Sequence, residues 1–309
     1  MEYSPDILPA LVDLYDRYAS VGVGLTSLPR EHWESLFIKS EIDPRRDVII
    51  ASCATADSGE SPRGFCWLYT KPAPSHVYMR GPYVPPEDPD LTNLLDQLVE
   101  KSIARAGECN AGHLEGRSLH PSWAEAYARS GFRRMGAYER WREFPLKGAA
   151  LLYDPPGRGT IRDWRGVEDL PVLMDLFNLA FADHWDYLHP EREDWEQVIG
   201  GRQFRSRLLQ IAYTEDEPAG YVFGQLMQDY ASAIVESCYL VSIGVHPRLR
   251  GRGWGKALLS RWLRACYDSG LRAVELDVDE KNDVARSMYG RFGFRRLRTE
   301  EVWRKYLRE

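Results

Sequence analysis

The sequence predicts an α/β fold, with a mixed (α+β) sheet, repeated in two tandem domains. Residues 233–294 read in the order strand, glycine-rich turn, helix, strand, helix. Residues 127–144 match residues 289–306 at a constant offset of 162, with nine identities in eighteen positions and no gap. Such self-similarity indicates an internal duplication. A chain of 309 residues, 44% of them hydrophobic, is long enough to bury two cores.

The second half carries the clearer elements. Residues 239–245 are apolar and β-branched, which predicts a buried strand. A helix is expected directly after the glycine-rich turn, and it is expected to end at Gly270. The apolar stripe of this helix falls at Leu258, Leu259, Trp262, Leu263 and Cys266. A second strand is expected over residues 273–278, and a second helix from Asn282 to Gly293.

Earlier segments predict the same plan in a weaker form. Expected helices cover residues 8–18, 30–40, 91–106, 122–129 and 170–181, and expected strands cover residues 47–54, 63–70, 76–84, 113–117, 160–164, 207–213 and 220–227. Residues 183–193 are expected to form an aromatic and acidic loop. Residues 146–158 are rich in proline and glycine, as linkers are. We therefore predict one domain over residues 1–149 and another over 150–309.

The turn at residues 250–256, Arg-Gly-Arg-Gly-Trp-Gly-Lys, has the composition of an anion site. A helix start leaves about four backbone N–H groups without partners, and the helix dipole favours negative charge there. Glycines allow a large anion to approach the backbone, and Arg250, Arg252 and Lys256 add positive charge. The turn therefore suits a pyrophosphate group.

Three nucleotide motifs compete for this turn. A Walker P-loop fails because Gly251 is one residue too close to Gly255, and because Ala257 offers no hydroxyl to magnesium. The dinucleotide fingerprint fails because the glycines are spaced G-x-G-x-G. The pattern R-x-x-G-x-G fits from Arg250 to Gly255 without adjustment.

With this pattern, the segment resembles the GNAT superfamily of acetyl-CoA-dependent N-acetyltransferases. Asn282, Ala285, Tyr289, Gly293 and Phe294 also resemble the second helical motif of that family. In length and in its two domains, the chain is similar to the mycothiol synthase group. The resemblance implies two tandem GNAT-like domains and acetyl-CoA as cosubstrate. It assigns the cofactor contacts to Ile243, Gly244, Val245, Arg250, Gly251, Arg252, Gly253, Trp254, Gly255, Lys256 and Asn282.

The resemblance also implies catalytic roles. Tyr289 is the expected proton donor to the thiolate leaving group. Many relatives carry a glutamate base at the position of Tyr239, so Glu236, on the same strand and acting through water, is the candidate base here, with His184 as an alternative. A helix-capping role is expected for Asp279. The expected acceptor-binding residues are aromatic, acidic or imidazole side chains: Phe181, Asp183, His184, Trp185 and Tyr239. No group of histidine, cysteine, aspartate and glutamate residues has the spacing of metal ligands, so no metal site is predicted.

The first domain is predicted to be degenerate. After Val84 it reads Pro-Pro-Glu-Asp-Pro-Asp, without the glycine loop or an arginine. Prolines remove backbone donors and carboxylates repel a pyrophosphate, so this domain should not bind acetyl-CoA in the usual way. Tyr127, the counterpart of Tyr289, is therefore expected to be a packing residue. His120 stands at the position of Asn282.

The predicted function is transfer of an acetyl group from acetyl-CoA to a primary amine of a small molecule, by direct attack in a ternary complex. A protein or peptide N-acetyltransferase and a non-catalytic acetyl-CoA sensor are the alternatives. The net charge of −6 disfavours nucleic acid as a partner. Five scattered cysteines and no signal-like N-terminus favour the reduced cytoplasm, no membrane partner is expected, and the chain is expected to be a monomer or homodimer.

Overall fold

The structure is a computed structural model that describes residues 1–20, 33, 42–55, 59–70, 76–144, 146–187, 189–215, 217–227 and 237–308. It divides into two compact units, which are residues 1–138 with 298–309 and residues 139–297. The chain therefore passes from the first unit to the second within one strand, and returns within another. Among the described residues, no helix is long and apolar enough to cross a membrane.

The first unit pairs its strands in the order β1-β2-β3-β4-β11. The strands are β1 (Val48–Thr55), β2 (Gly59–Thr70), β3 (His76–Tyr83), β4 (His113–Ser118) and β11 (Arg295–Tyr306), of which residues 298–306 belong to this unit. The helices are α1 (Leu8–Ser20), the single turn α2 (Pro44–Asp47), α3 (Leu91–Glu108) and α4 (Pro121–Arg129). Apolar faces of α1, α3 and α4 pack on the sheet to form one core, as their periodicity predicts.

The second unit pairs its strands in the order β6-β7-β8-β9-β10-β5. The strands are β5 (Arg133–Glu143, residues 139–143 in this unit), β6 (Thr160–Asp163), β7 (Leu209–Tyr213), β8 (Pro218–Met227), β9 (Ser237–Val245) and β10 (Ala273–Asp279). The helices are α5 (Leu170–Phe181), α6 (Arg192–Gly200), α7 (Trp254–Asp268) and α8 (Asp283–Arg291). The predicted stripe of α7 is fully buried in the core.

The two units share a pairing pattern that supports the duplication. In each, two antiparallel pairs lead to one parallel pair, β3 with β4 and β9 with β10. Each parallel pair extends over only four residues, His76–Met79 in the first unit and Ser237–Leu240 in the second. A register shift follows in both, before Tyr83 of β3 and at Val241 of β9. The fold is a mixed α/β sheet in both units, as predicted.

Several boundaries differ from the sequence prediction. The segment expected to be a loop to residue 193 ends earlier, because α6 begins at Arg192 with a capping box between Glu191 and Asp194. The strand expected from residue 207 begins at Leu209, after a short 3-10 turn. Most of the helix expected over residues 30–40 lies outside the described residues. The domain boundary between residues 149 and 150 stays a prediction.

A partly buried ion pair, Arg162–Asp169, lies near the start of the second unit. Both oxygens of the Asp169 carboxylate accept from the Arg162 guanidinium, at 2.6 and 2.7 Å, and Oδ2 also accepts the backbone N–H of Arg165 at 2.9 Å. The hydrogen bonds from Arg162 lower the pKa of Asp169, and burial opposes them. The pair joins β6 to the residue that precedes α5, and the carboxylate is almost fully enclosed.

We predict that Asp169→Asn lowers the free energy of unfolding by about 2–4 kcal/mol at pH 7, because it leaves Arg162 without its buried counter-charge. The folded pKa of Asp169 lies below the unfolded value of about 3.9, so the stabilisation is complete above that value and is lost as the pH falls through the folded pKa. Urea unfolding across pH 2–7 should show the difference between variant and wild type shrinking in acid. Asp175→Asn, on the exposed face of α5, is the control; an equal effect there would contradict the prediction.

Candidate active site

The central feature of the second unit is an opening between two strands. Strand β9 pairs with β10 only from Ser237 to Leu240, whereas on its other side β9 stays paired with β8 as far as Val245. The register shift places Val241 as an extra residue opposite β8. A bulge of this kind increases the local twist and bends the strand. Residues 241–245 therefore lie at a strand edge whose β10 side is open to hydrogen bonding by a ligand.

The N-terminus of α7 lies beyond the end of β9. Its N-cap is Gly253, with φ of 101°, and no side chain caps the helix. Gly251 also has a positive φ, of 76°, although a Cβ there would meet nothing within 4 Å. The requirement at Gly251 is thus conformational, since L side chains rarely adopt this region. The N–H groups of the first turn therefore have no side-chain cap.

Two of the predicted cofactor residues support the loop through their side chains. Arg250 donates to the carbonyl oxygens of Ala180 at 2.8 Å and of Val245 at 3.4 Å, which ties the loop to α5 and β9. Trp254 is buried against the linker, where a Cβ on Gly159 would overlap its ring. Only the backbone of Trp254 could therefore touch a ligand. Arg252 is exposed, and the ammonium of Lys256 lies 5.7 Å from the ring centre of Tyr153.

Glycines and a methionine shape the space between the loop and the opening. A Cβ on Gly255 would lie 3.4 Å from Met288 Sδ and 3.9 Å from Val245. A Cβ on Gly244 would overlap the ring of Tyr221 and the methyl group of Ala180. The backbone of Gly244 thus approaches α5 as closely as glycine permits, and α7, α8 and β9 converge at one end of the opening.

Tyr289 and Tyr127 differ in the hydrogen bonding of their hydroxyl groups. Tyr127 is fully buried, its ring lies against Gly116, and its hydroxyl donates to the carbonyl oxygen of Gly81 at 2.9 Å. In the first unit this side chain therefore fills the space beyond the paired part of β3 and β4. Tyr289 is also buried, but its hydroxyl makes no side-chain hydrogen bond to a described residue. Burial raises the pKa of Tyr289, so its hydroxyl stays protonated at neutral pH.

The acidic end of β10 holds the loop that follows α5. Asp279 Oδ2 accepts the indole N–H of Trp185 at 2.6 Å and lies 3.4 Å from His184 Nε2. Asp279 Oδ1 accepts the backbone N–H of Lys281 at 2.8 Å. The Nδ1 atom of His184 accepts the backbone N–H of Asp186, which places the imidazole proton on Nε2, toward Asp279.

The expected capping role of Asp279 is wrong. The N-cap of α8 is Asn282, whose Oδ1 accepts the backbone N–H of Ala285 at 3.0 Å. The carboxylate of Asp279 is instead occupied in the turn before the helix and by the indole of Trp185. His120 caps α4 in the corresponding way, by accepting the backbone N–H of Ser122. The cap position is therefore the same in both copies.

Tyr239 belongs to an ionic cluster. Its hydroxyl donates to Asp277 Oδ2 at 2.9 Å, and the Arg140 guanidinium carbon lies 5.0 Å from its ring centre. Arg140 bonds both oxygens of Asp277 and also reaches Glu275. Sequence reasoning missed Arg140, which is 137 positions from Asp277. One sequence signal could have pointed to Arg140. At the repeat offset of 162, this arginine stands where the other copy has the apolar Val302, which is buried.

Comparison of the two copies distinguishes contacts that both units share from contacts that occur in the second unit. The Arg142–Glu275 pair of the second unit has a counterpart in the Arg304–Glu115 pair of the first. Three features occur in the second unit: the bond from Tyr239 to Asp277, the contacts of Arg140, and a Tyr289 hydroxyl without a described hydrogen bond.

The expected base Glu236 lies outside the described residues. Phe181 packs on Phe177 and His184, and Asp183 is exposed.

Comparisons with known proteins identify the class. A model of the acetyltransferase (GNAT) family matches residues 170–294. The mycothiol acetyltransferase of Stackebrandtia nassauensis is 30% identical over 222 residues, which cover 69% of each chain. The protein is an acyltransferase, and the chain belongs to the GNAT family of acetyltransferases.

Solved structures agree with the fold. A GCN5-related N-acetyltransferase from Sphaerobacter thermophilus superposes with a TM-score of 0.80 at 20% identity, covering 100% of this chain and 95% of the other. A tandem GNAT protein from the clavulanic acid biosynthesis pathway superposes with a TM-score of 0.67 at 14% identity, covering 98% and 96%. At these identities the likeness concerns the fold, and it supports two GNAT-like domains.

We predict that Gly253→Asp weakens acetyl-CoA binding at least about tenfold, because it adds a Cβ and a negative charge at the N-terminus of α7. Titration calorimetry with acetyl-CoA measures the change. Gly270→Asp is the matched control, since Gly270 follows the other end of the same helix with φ of 80° and a Cβ there would be unobstructed. Equal affinities for the wild type and a folded Gly253→Asp protein would mean that the cofactor binds elsewhere.

Proposed function

We propose that the second unit transfers an acetyl group from acetyl-CoA to a primary amine of a small molecule, by direct attack in a ternary complex. The observation that carries this proposal is the opening between β9 and β10, which leads directly to the uncapped N-terminus of α7. An open strand edge can pair with an amide-bearing chain, and a helix N-terminus can bind a phosphate. Acetyl-CoA has both groups in one molecule.

The residues present fit this cosubstrate. The N–H groups that begin α7, with Arg252 and Lys256 beside them, would bind the pyrophosphate. The backbone of Ile243, Gly244 and Val245 would pair with the amide-bearing arm, and the amide of Asn282 lies at the neighbouring helix start. Bound acetyl-CoA supplies an activated acetyl thioester. Arg250 would act mainly by fixing the loop, because its guanidinium holds two backbone carbonyl groups.

Tyr289 is the proposed proton donor to the departing thiolate sulfur. A tyrosine hydroxyl is protonated at neutral pH, and burial raises the pKa of Tyr289 further. No described side chain or backbone group is recorded as accepting its hydrogen bond. A hydrogen bond from this hydroxyl to the sulfur would strengthen as negative charge develops there. Such an interaction lowers the activation barrier rather than the energy of the bound substrate.

The acceptor is proposed to be an amine that loses its proton before attack. An alkylammonium group has a pKa of about 10, so a base or a water chain must accept the proton. Asp277 and Asp279 both hold hydrogen-bond donors of the protein, which suits them to positioning rather than to proton transfer. Glu236 remains the proposed base. Trp185, His184 and Tyr239 would line the acceptor side, with Phe181 and Asp183 beside them.

The relatives support a small-molecule amine as the acceptor. Several are mycothiol acetyltransferases, with 30% identity in the example given above. We therefore propose a polar small-molecule amine as the acceptor. The amine acceptor of the mycothiol acetyltransferases is the first compound to test.

A screen for CoA release tests the function. Purified protein with acetyl-CoA should release CoA in the presence of one amine class among the mycothiol acetyltransferase acceptor, amino sugars, aminoglycosides, polyamines and peptides. A small polar amine should give the highest kcat/KM, and mass spectrometry should find the acetyl group on its nitrogen. Turnover confined to peptides would replace the proposal with a peptide acetyltransferase. Acetyl-CoA binding without any turnover would favour a sensor.

We predict that Tyr289→Phe lowers kcat by roughly 10²-fold, the lower end of general acid catalysis. Acetyl-CoA affinity should barely change, because the lost interaction belongs to the transition state. Tyr127→Phe is the matched control, since its hydroxyl bonds Gly81 in the unit without a cofactor loop, and it should leave kcat within about a factor of two. Steady-state kinetics on both folded variants decides. Small and equal effects would assign the proton to water or to the substrate.

A further inference from the structure

The first unit contains a basic cleft that the acetyl-transfer proposal does not use. The cleft has a volume of about 440 Å³ and is lined by residues 304–308 together with Gly131 and Arg133. It lies where β11 ends beside the turn between α4 and β5. This volume is within the range of small-molecule sites. We call it the basic cleft.

The cationic side chains of the basic cleft are mostly not neutralised. Arg304 pairs with the buried carboxylate of Glu115. Lys305 donates to the carbonyl oxygen of Ser130 at 2.8 Å, and Arg308 donates to Asn110 Oδ1 at 2.6 Å, so both bond neutral oxygens. Among the described residues, no carboxylate pairs with Lys305, Arg308 or Arg133. Three positive charges thus converge in a chain whose net charge is −6.

The basic side chains also retain unused donors. An ammonium group has three N–H bonds and a guanidinium group has five. Lys305 and Arg308 each make a single described hydrogen bond. Arg133 is exposed, and it makes none among the described residues. Several N–H groups are therefore available to an occupant that offers acceptor oxygens.

The internal repeat shows what fills the same place in the second unit. At the offset of 162, Lys305 corresponds to Glu143, and Gly131 corresponds to Gly293. Glu143 lies beside Gly293 and accepts the backbone N–H of Gly148, from the turn at residues 148–150. That turn also lies against the carbonyl oxygen of Phe292, the counterpart of Ser130. In the second unit, an acceptor side chain therefore binds a segment of backbone donors.

The first unit inverts this chemistry. Where Glu143 offers oxygen acceptors to the N–H group of a protein segment, Lys305 offers N–H donors to an open cleft. An occupant complementary to Lys305 must therefore supply acceptors and negative charge. Guanidinium groups such as those of Arg133 and Arg308 match the oxygen geometry of phosphate in particular. The volume leaves room for more than one phosphate group.

We propose that the basic cleft of the first unit binds a small phosphate-bearing anion with at least two phosphate groups. The degenerate copy then keeps a ligand site of its own, which is built from side-chain donors and lies apart in sequence from the loop at residues 250–256. The binding energy comes from Arg133, Lys305 and Arg308, whose charges have no carboxylate partner among the described residues.

Inorganic pyrophosphate is the probe, titrated by calorimetry at low ionic strength, about 20 mM, where screening is weak. The loop of the second unit is also expected to bind pyrophosphate, so the experiment uses Gly253→Asp protein, in which that site is weakened. One site per chain should remain. The double variant Arg133→Glu/Arg308→Glu in this background should raise its Kd at least about tenfold, because two charge-assisted contacts become repulsive.

The control carries the same change in net charge away from the cleft. Arg295→Glu alters the repeat counterpart of Arg133, and Arg261→Glu alters an exposed position on α7. This pair should leave the Kd within about a factor of two, whereas an equal loss would show attraction to the overall charge and would overturn the proposal. No binding of pyrophosphate to the Gly253→Asp protein would also overturn it. Citrate binding without pyrophosphate binding would assign the cleft to carboxylates and reject phosphate.

Discussion

The site in the second unit depends on one constraint, the end of backbone pairing between β9 and β10 after Leu240. A parallel pair normally continues as long as both strands do, because each unpaired N–H and C=O group needs another partner. Here the bulge at Val241 bends the rest of β9 away from β10, while the opposite edge of β9 stays hydrogen-bonded to β8. The structure therefore retains a row of backbone groups on rigid strands, and the N-terminus of α7 lies at the end of that row. The glycines at 244, 251, 253 and 255 allow the close approaches and the left-handed turns that this arrangement requires.

The duplication provides an internal control for assigning roles. Features shared by both units, such as the bulge, the four-residue parallel pairing and the Arg–Glu pair behind it, belong to the scaffold. Features of one unit carry its specific chemistry. The hydroxyl of Tyr127 closes the first opening by bonding Gly81, and the unbonded hydroxyl of Tyr289 leaves the second open. At the same helical position, one tyrosine thus fills the space between two strands, and the other is the proposed proton donor.

Local patterns predicted most of the helices and strands, and they predicted the loop at residues 250–256, because glycine spacing, charge and periodicity act within a few residues. The features that the sequence did not predict depend on residues that are distant in sequence or that compete for the same role. Asp279 and Asn282 are both capping residue types; Asn282 directly precedes the helix and caps it, while the carboxylate of Asp279 accepts the indole N–H of Trp185, which is far away in sequence. Arg140 reaches Asp277 only because β5 lies next to β10. Helix α6 buries little apolar surface, so its periodicity is weak, although the Glu191–Asp194 capping box was a readable signal.

The passage of the chain between units within β5 and β11 has a consequence for biosynthesis. The first unit includes residues 298–306, and β11 pairs with β4 from Glu301 against Ser118 to Tyr306 against His113. The partner of β4 is thus translated more than half a chain later than β4 itself. Until then, the emerging first unit exposes an unpaired strand edge, the kind of surface that recruits other strands. Domains of most proteins can finish folding in the order of their synthesis, but the amino-terminal unit here is completed last.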